Sequence, residues 1–189
     1  MAKLRFVSKS ALAAILISLG VAVSLTLGNA LGAVLFAFGL LSVCVLQANL
    51  YTGKAGYWWR NQFGNLCLVL LINLVVGYAM GFIISIAFPS LVIAAQIKVS
   101  AWTFSLSHFI QAVFCGMVMY IAVELYKRKE PFGIFLGIPL FILAGFQHCI
   151  ANAIVLGVAH TISATLILSI PGNLLGSMII NILEGKLDE

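Results

Sequence analysis

The sequence predicts an all-α integral membrane protein with six transmembrane helices, arranged as an inverted 3+3 repeat in which helices two and five are broken. Three observations carry this. Hydrophobic residues make up 63% of the chain, charged residues 8%, and the mean hydropathy is +1.17. A soluble domain keeps about a quarter of its residues charged, because its surface must be wet. Apolar runs of spanning length follow one another, separated by short charged or turn-rich segments. Polar residues interrupt the second and the fifth run, at matching places in the two halves.

The runs divide as follows. Span one covers Ser10 to Leu27 and ends at the turn Gly28-Asn29. Span two covers Leu31 to Tyr51 and stops at Thr52-Gly53-Lys54. Span three starts near Phe63 and ends before Pro89. A less apolar connection, Pro89 to Ser100, holds Lys98. Span four covers Ala101 to Tyr126, before the basic run Lys127-Arg128-Lys129. Span five covers Phe132 to Gly157, and span six Ser163 to Leu183. A helix needs about 20 apolar residues to cross the hydrocarbon, so 189 residues hold no spare segment for a seventh span. The chain reads as one transmembrane domain with repeat halves of about 1–90 and 91–189.

Charge sets the orientation. Six spans put both termini on one side, which collects Lys3, Arg5, Lys9, Lys54, Arg60, Lys127, Arg128, Lys129 and Lys186. The other side receives only Lys98. The positive-inside rule then places both termini in the cytoplasm, with the chain in the cell's inner membrane. The basic N-terminus leads into a run too long for the apolar core of a secretory signal, so it reads as the first span. The formal charge of +5 sits in loops between spans and does not suggest nucleic acid.

The composition also excludes classes. The sequence holds no H-E-x-x-H, no Walker loop and no G-x-S-x-G, so no enzyme is expected. Cys44, Cys67, Cys115 and Cys149 lie far apart within apolar runs and read as small packing residues, with no metal or cofactor implied. Trp58, Trp59 and Trp102 read as interface anchors. Glu124 reads as a residue at the cytoplasmic interface.

Polar residues at membrane depth are costly and point to function or helix packing. One group is Gln47-Ala-Asn-Leu-Tyr-Thr-Gly53, at the end of span two. A second is Gly145-Phe-Gln-His-Cys-Ile-Ala-Asn152, within span five. The third is a set of Gly and Asn pairs: Gly28-Asn29, Gly64-Asn65, Gly172-Asn173, and Asn73 with Gly77. Small residues let backbones approach, and Asn satisfies backbone groups freed at a helix break. Two odd-numbered halves with interrupted helices are related by inversion, and such interruptions point to a transport site near the midplane. His148, beside Gln147 and one turn before Asn152, is the strongest pore candidate. His108 and His160 read as structural or interfacial.

These motifs resemble the formate/nitrite transporter family. Gly145-Phe146-Gln147-His148-Cys149-Ile150-Ala151-Asn152 is similar to its fifth-helix motif GFEHSIAN. Leu50-Tyr51-Thr52-Gly53 is similar to LFTG in the loop breaking helix two. Asn73-Leu74-Val75-Val76-Gly77 is similar to GNLVG of helix three. Lys98-Val99 is like the lysine before helix four, and Gly172-Asn173-Leu174-Leu175-Gly176 is like GNxxG of helix six. The resemblance implies an aquaporin-like fold assembled as a homopentamer, with one pore per protomer for a small monovalent anion or its weak acid, of the formate, nitrite, hydrosulfide or lactate class. It implies His148 as the central pore histidine with Thr52 and Asn152 beside it, and Lys98 as a buried lysine near the pore. Phe36, Leu40, Leu50 and Phe141 would form the inner apolar constriction. Tyr51 and Asn173 join the pore set through their motifs.

The chain departs from the family pattern at several places. Gln147 stands where the family has Glu, Gly116 where helix four has Asn, and Asn49 where an acid precedes LFT. The segment from Thr52 to Asn65 is short, and a cytoplasmic N-terminal helix is not expected. Three other readings stay open at this stage. One is a channel for urea, ammonia or water in the same fold. Another is a membrane substrate-binding subunit of an ATP-driven importer. The third is a structural membrane protein with no pore, which His148 in a dry core would support. An aquaporin proper is not expected, as no NPA motif is present.

Overall fold

The computed structural model describes residues 2–185. Among them are nine helices and no strand: α1 (Ala2–Leu27), α2 (Ala30–Val45), α3 (Tyr51–Trp58), α4 (Phe63–Ala87), α5 (Ser90–Ser100), α6 (Leu106–Lys127), α7 (Phe132–Leu143), α8 (Cys149–Val158) and α9 (Leu166–Leu183). Four of them, α1, α4, α6 and α9, are long and apolar enough to cross a bilayer on their own. The pieces α2 with α3, and α7 with α8, each supply a shorter helix followed by a shorter one. Large apolar side chains such as Leu71, Phe82, Ile93, Phe104, Leu136 and Ile167 stand exposed around the outside. Water would reject that surface, and a bilayer accepts it. The chain is a multi-pass helical membrane protein.

Both predicted interruptions coincide with a helix end, and the two ends share one chemistry. At the first, Gln47 adopts φ 51°, its N–H donates to Cys44 O at 3.1 Å, and Ala48 N–H donates to Val43 O at 2.9 Å. At the second, Gly145 adopts φ 74°, its N–H donates to Ile142 O at 3.2 Å, and Phe146 N–H donates to Phe141 O at 2.9 Å. Both are Schellman caps, which satisfy the last carbonyls of a helix by one left-handed residue. Four residues after each left-handed position the chain is helical again, at Tyr51 and Cys149.

Two asparagines hold these breaks. Asn73 of α4 accepts the Tyr51 N–H on its Oδ1 at 2.8 Å, and its Nδ2 donates to Ser10 O at 2.7 Å and Asn49 O at 3.2 Å. Asn173 of α9 accepts the Cys149 N–H at 2.9 Å and donates to Ala112 O and Gln147 O, each at 2.8 Å. Each amide thus joins the first N–H of a short helix, the loop before it and a long helix of its own half. Backbone groups freed within lipid must be repaid by such partners, because no water is present to take them.

Packing repeats between the halves. α1 lies against α2 and α4, and α6 against α7 and α9. The halves then exchange their short helices: α4 packs on α8, and α9 on α3. Gly81 and Gly157 make the first of these contacts. A Cβ on Gly81 would overlap Ile154 O, and one on Gly157 would overlap Tyr78 O, so only glycine permits the approach.

The structure corrects several boundaries. α1 begins at Ala2 rather than Ser10, so Lys3, Arg5 and Lys9 sit on an extended helical end. The segment expected as a connection, Pro89 to Ser100, is helical as α5, which buries only Leu91 and Ala95, one turn apart. That stripe is too narrow to register as a span. α6 starts at Leu106, where the Ser105 side chain accepts the His108 N–H at 3.3 Å, rather than at Ala101. α9 starts at Leu166 rather than Ser163. Lys186, counted among the cytoplasmic charges, lies outside the described residues.

Candidate functional site: a septum between two cavities

The N-terminal ends of α3 and α8 meet, and their first residues build the site. His148 is the N-cap of α8, and its Nδ1 accepts the Ala151 N–H at 3.0 Å. An accepting Nδ1 carries no proton, so the neutral ring holds its proton on Nε2. Nε2 lies 2.9 Å from Thr52 Oγ1, in the first turn of α3. The imidazole therefore donates to the Thr52 hydroxyl, whose own proton is left for another acceptor. The His148 ring stacks on Phe141 with centroids 5.7 Å apart, and Phe141 meets Phe36 edge-on at 5.8 Å.

Two cavities flank this group. One, of about 380 Å³, is lined by Leu40, Cys44, Leu50, Lys54, Tyr57 and Lys127 among others. The other, of about 430 Å³, is lined by Phe36, Lys98, Trp102, Phe141, His148 and Asn152 among others. The first meets α6 at Val123 and the second at Gln111, which is about 18 Å along a helix. They lie toward opposite ends of α6. Among the described residues, none lines both. The wall between them consists of Leu40 and Leu50 on one face and Phe36, Phe141 and His148 on the other, all buried, with Thr52 inside it at 1% exposure.

Charge is distributed unevenly around the cavities. The first, which we term inner, carries Lys54 and Lys127; their ammonium groups lie over the rings of Trp58 at 5.0 Å and Tyr57 at 3.2 Å. The outer one carries Lys98. Among the described residues, no carboxylate lines either. Glu124 is buried behind the inner cavity, accepting from Tyr57 OH at 2.7 Å and from Arg128 Nε at 3.0 Å.

The sequence-named residues separate into groups. Phe36, Leu40, Leu50, Phe141 and His148 form the wall, with Thr52 bonded inside it. Asn152 and Lys98 line the outer cavity. Lys98, which the resemblance places in a buried position, is exposed in the single chain. Tyr51 and Asn173 line neither cavity: Tyr51 donates its OH to Ile170 O at 3.2 Å, and Asn173 anchors the second break. His108 and His160 pair with Ser169 at 2.8 Å and Ser85 at 2.6 Å. Gln111 is a residue that sequence reasoning passed over. It is a polar side chain within an apolar run, which was the available signal, and its Oε1 accepts from Gln147 Nε2 at 3.2 Å. Trp58 and Trp102 line the two cavities.

No family model and no curated protein matches the sequence. Solved structures do. An FNT family ion channel superposes with a TM-score of 0.76 at 19% identity, over 96% of this chain and 87% of that one. The fold is that of the formate/nitrite transporters. A pentameric formate channel with formate bound superposes with a TM-score of 0.75 at 17% identity, over 98% of this chain and 95% of that one. At these identities the likeness carries the formate/nitrite transporter fold and leaves the chemistry to the residues present.

Proposed function

We propose that the chain is a membrane channel for a small monovalent anion or its weak acid, of the formate, nitrite, hydrosulfide or lactate class, with a pore through each protomer. The observation that carries this reading is the septum. A thin apolar wall containing the Thr52–His148 hydrogen bond separates two cavities lined by lysines and, among the described residues, by no carboxylate. α2 with α3 and α7 with α8 act as two discontinuous spans, which with the four long helices make six. The halves of about 1–90 and 91–189 act as inverted repeats, a reading supported by the paired Schellman caps and by Asn73 and Asn173. Both termini then lie in the cytoplasm and the protein in the inner membrane. A homopentamer is supported by the assembly state that the second structural neighbour's name prints.

The chemistry follows from cost and compensation. An anion loses hydration at an apolar wall, and an unpaired charge there is expensive. Lys98 at one mouth and Lys54 and Lys127 at the other raise its local concentration. The N-terminal ends of α3 and α8 add positive potential at the wall. His148 donates to Thr52, so the Thr52 hydroxyl proton is available to a solute oxygen or sulfur.

Flux into proteoliposomes of formate, nitrite, hydrosulfide, lactate and urea, at two pH values, tests the reading. Anion flux that falls in His148→Ala and Lys98→Ala is expected, and wild-type flux in both overturns the assignment. A channel for neutral solutes such as urea is the second reading, favoured by the amide side chains of Gln111, Gln147 and Asn152 on the outer cavity wall. It requires urea flux above anion flux in the same panel.

A further inference from the structure

Among the described residues, the carboxylates gather at one end of the molecule. The sequence holds five: Glu124, Glu130, Glu184, Asp188 and Glu189. Glu124 and Glu184 are joined through Arg128 beyond the inner cavity. Glu130 follows α6 at the same end, and the last two lie outside the described residues. Of the described residues lining the outer cavity, Lys98 alone holds a fixed charge.

Gln147 stands at the mouth of the septum, directly before His148, and both ends of its amide are engaged. Oε1 accepts from Asn152 Nδ2 at 2.9 Å. Nε2 donates to Gln111 Oε1 at 3.2 Å and to Gly145 O at 3.0 Å. A reversed amide would set N–H against N–H at Asn152 and oxygen against oxygen at Gly145. A carboxylate of the same shape would keep the Asn152 bond but turn its second oxygen toward two acceptors. The surroundings therefore select an uncharged donor–acceptor group here.

We propose that Gln147 is the specificity-determining residue of the outer cavity: its neutral amide leaves Lys98 uncompensated, so the cavity collects small monovalent anions in their ionised form. An amide neither takes up nor releases a proton, so it cannot convert the anion to its acid at the mouth. The inference rests on the anion-channel reading of the same cavity and names the charge state of the solute there. Of the titratable groups on the surrounding elements, Lys98 of α5, His108 and Cys115 of α6, and His148 and Cys149 at the start of α8 lie toward this cavity and the septum, while Tyr120, Glu124, Tyr126 and Lys127 of α6 lie toward the inner end.

Trp102 lines this cavity, whereas Trp58 lines the inner one and Trp59 follows it as the C-cap of α3. The full chain carrying Trp58→Phe and Trp59→Phe, in detergent, reports on the outer cavity through Trp102 fluorescence. Iodide serves as a small anionic quencher and acrylamide as a neutral one. In the Gln147→Glu variant, iodide quenching relative to acrylamide is expected to fall several-fold near neutral pH at low ionic strength, the effect of one added unit charge beside the cavity. It is expected to recover as the pH falls from about 7 to about 4 and the new carboxyl, with an ordinary pKa of about 4.3, protonates. Asn152→Asp places the same charge at the next link and serves if the first variant does not fold. Gln147→Met is expected to keep the iodide preference, and Lys98→Met to abolish it.

Unchanged iodide quenching in both acidic variants across that pH range overturns the proposal. So does an equal, pH-independent loss in Gln147→Met. Formate flux measured in parallel separates this inference from the reading beneath it. Absent wild-type flux with charge-dependent quenching rejects the channel alone, and normal flux with charge-independent quenching rejects the role of Gln147 alone.

Discussion

Asn73 and Asn173 perform the same task in opposite halves: each carboxamide accepts the first N–H of a short helix and donates to the carbonyl two residues earlier in the chain. The two short helices, α3 and α8, then present their first turns to one another, and Thr52 and His148 are bonded across the gap.

Removing either carboxamide should destabilise the protein. Asn73→Leu and Asn173→Leu each strand a buried backbone N–H and take the donor from two carbonyls, at about 1–3 kcal/mol for each group left unmade. Thermal denaturation of the detergent-solubilised protein should show both variants clearly below wild type. Wild-type melting in either would refute the strut role.

Thr52→Val keeps the side-chain shape but leaves the His148 Nε2–H without an acceptor inside the wall. A loss of about 1–2 kcal/mol is expected, whereas Thr52→Ser should recover most of it. The same pair of variants should rank in the same order in anion flux. A valine variant as stable and as active as the serine one would show the bond to be incidental.

The two left-handed cap positions should respond in opposite directions. Gly145→Ala meets no neighbouring atom within 4 Å, so its cost is conformational, about 1–2 kcal/mol. Gln47→Gly relieves the same strain at the other break and should stabilise by up to about 1 kcal/mol. Melting temperatures shifting the same way in both would contradict the shared cap geometry.

Gly116 has no room for a side chain, because a Cβ would collide with the Asn173 carbonyl. Gly116→Ala should therefore push α9 from α6, at about 1–3 kcal/mol. The displacement acts on the residue that holds the second break, so flux should fall further than melting temperature alone accounts for. Gly64→Ala, with open space around it, is the matched control and should behave as wild type.

Much of this architecture is legible in the sequence. Long apolar runs and the segregation of lysine and arginine mark the membrane class without any pairing information. The second break announces itself through Gly145, the residue that its φ requires. The first is announced only by polar residues, since its left-handed position is Gln47, and nothing local marks a glutamine for that conformation. α5 stayed hidden because a surface helix that buries two residues leaves no periodic signal to read. The extension of α1 back to Ala2 was hidden for a related reason, as its added turns mix Lys3, Arg5 and Lys9 with apolar residues and helical propensity alone does not fix a boundary. Gln111 could be flagged as a polar residue in lipid, but its partner lies 36 residues away in sequence. Such a contact exists only once α6 and the second break are placed together.

All ten residues of α8 are buried, while α3 buries only Tyr51, Thr52, Ala55 and Gly56. A sliding movement of α8 would have to tear packing on every side at once. α3 has a flank toward open space, where Gly53, Lys54, Tyr57 and Trp58 meet the inner cavity. Of the two short helices whose first turns carry Thr52 and His148, one is gripped on all sides and the other is held on one flank only, so α3 is the partner with room to shift.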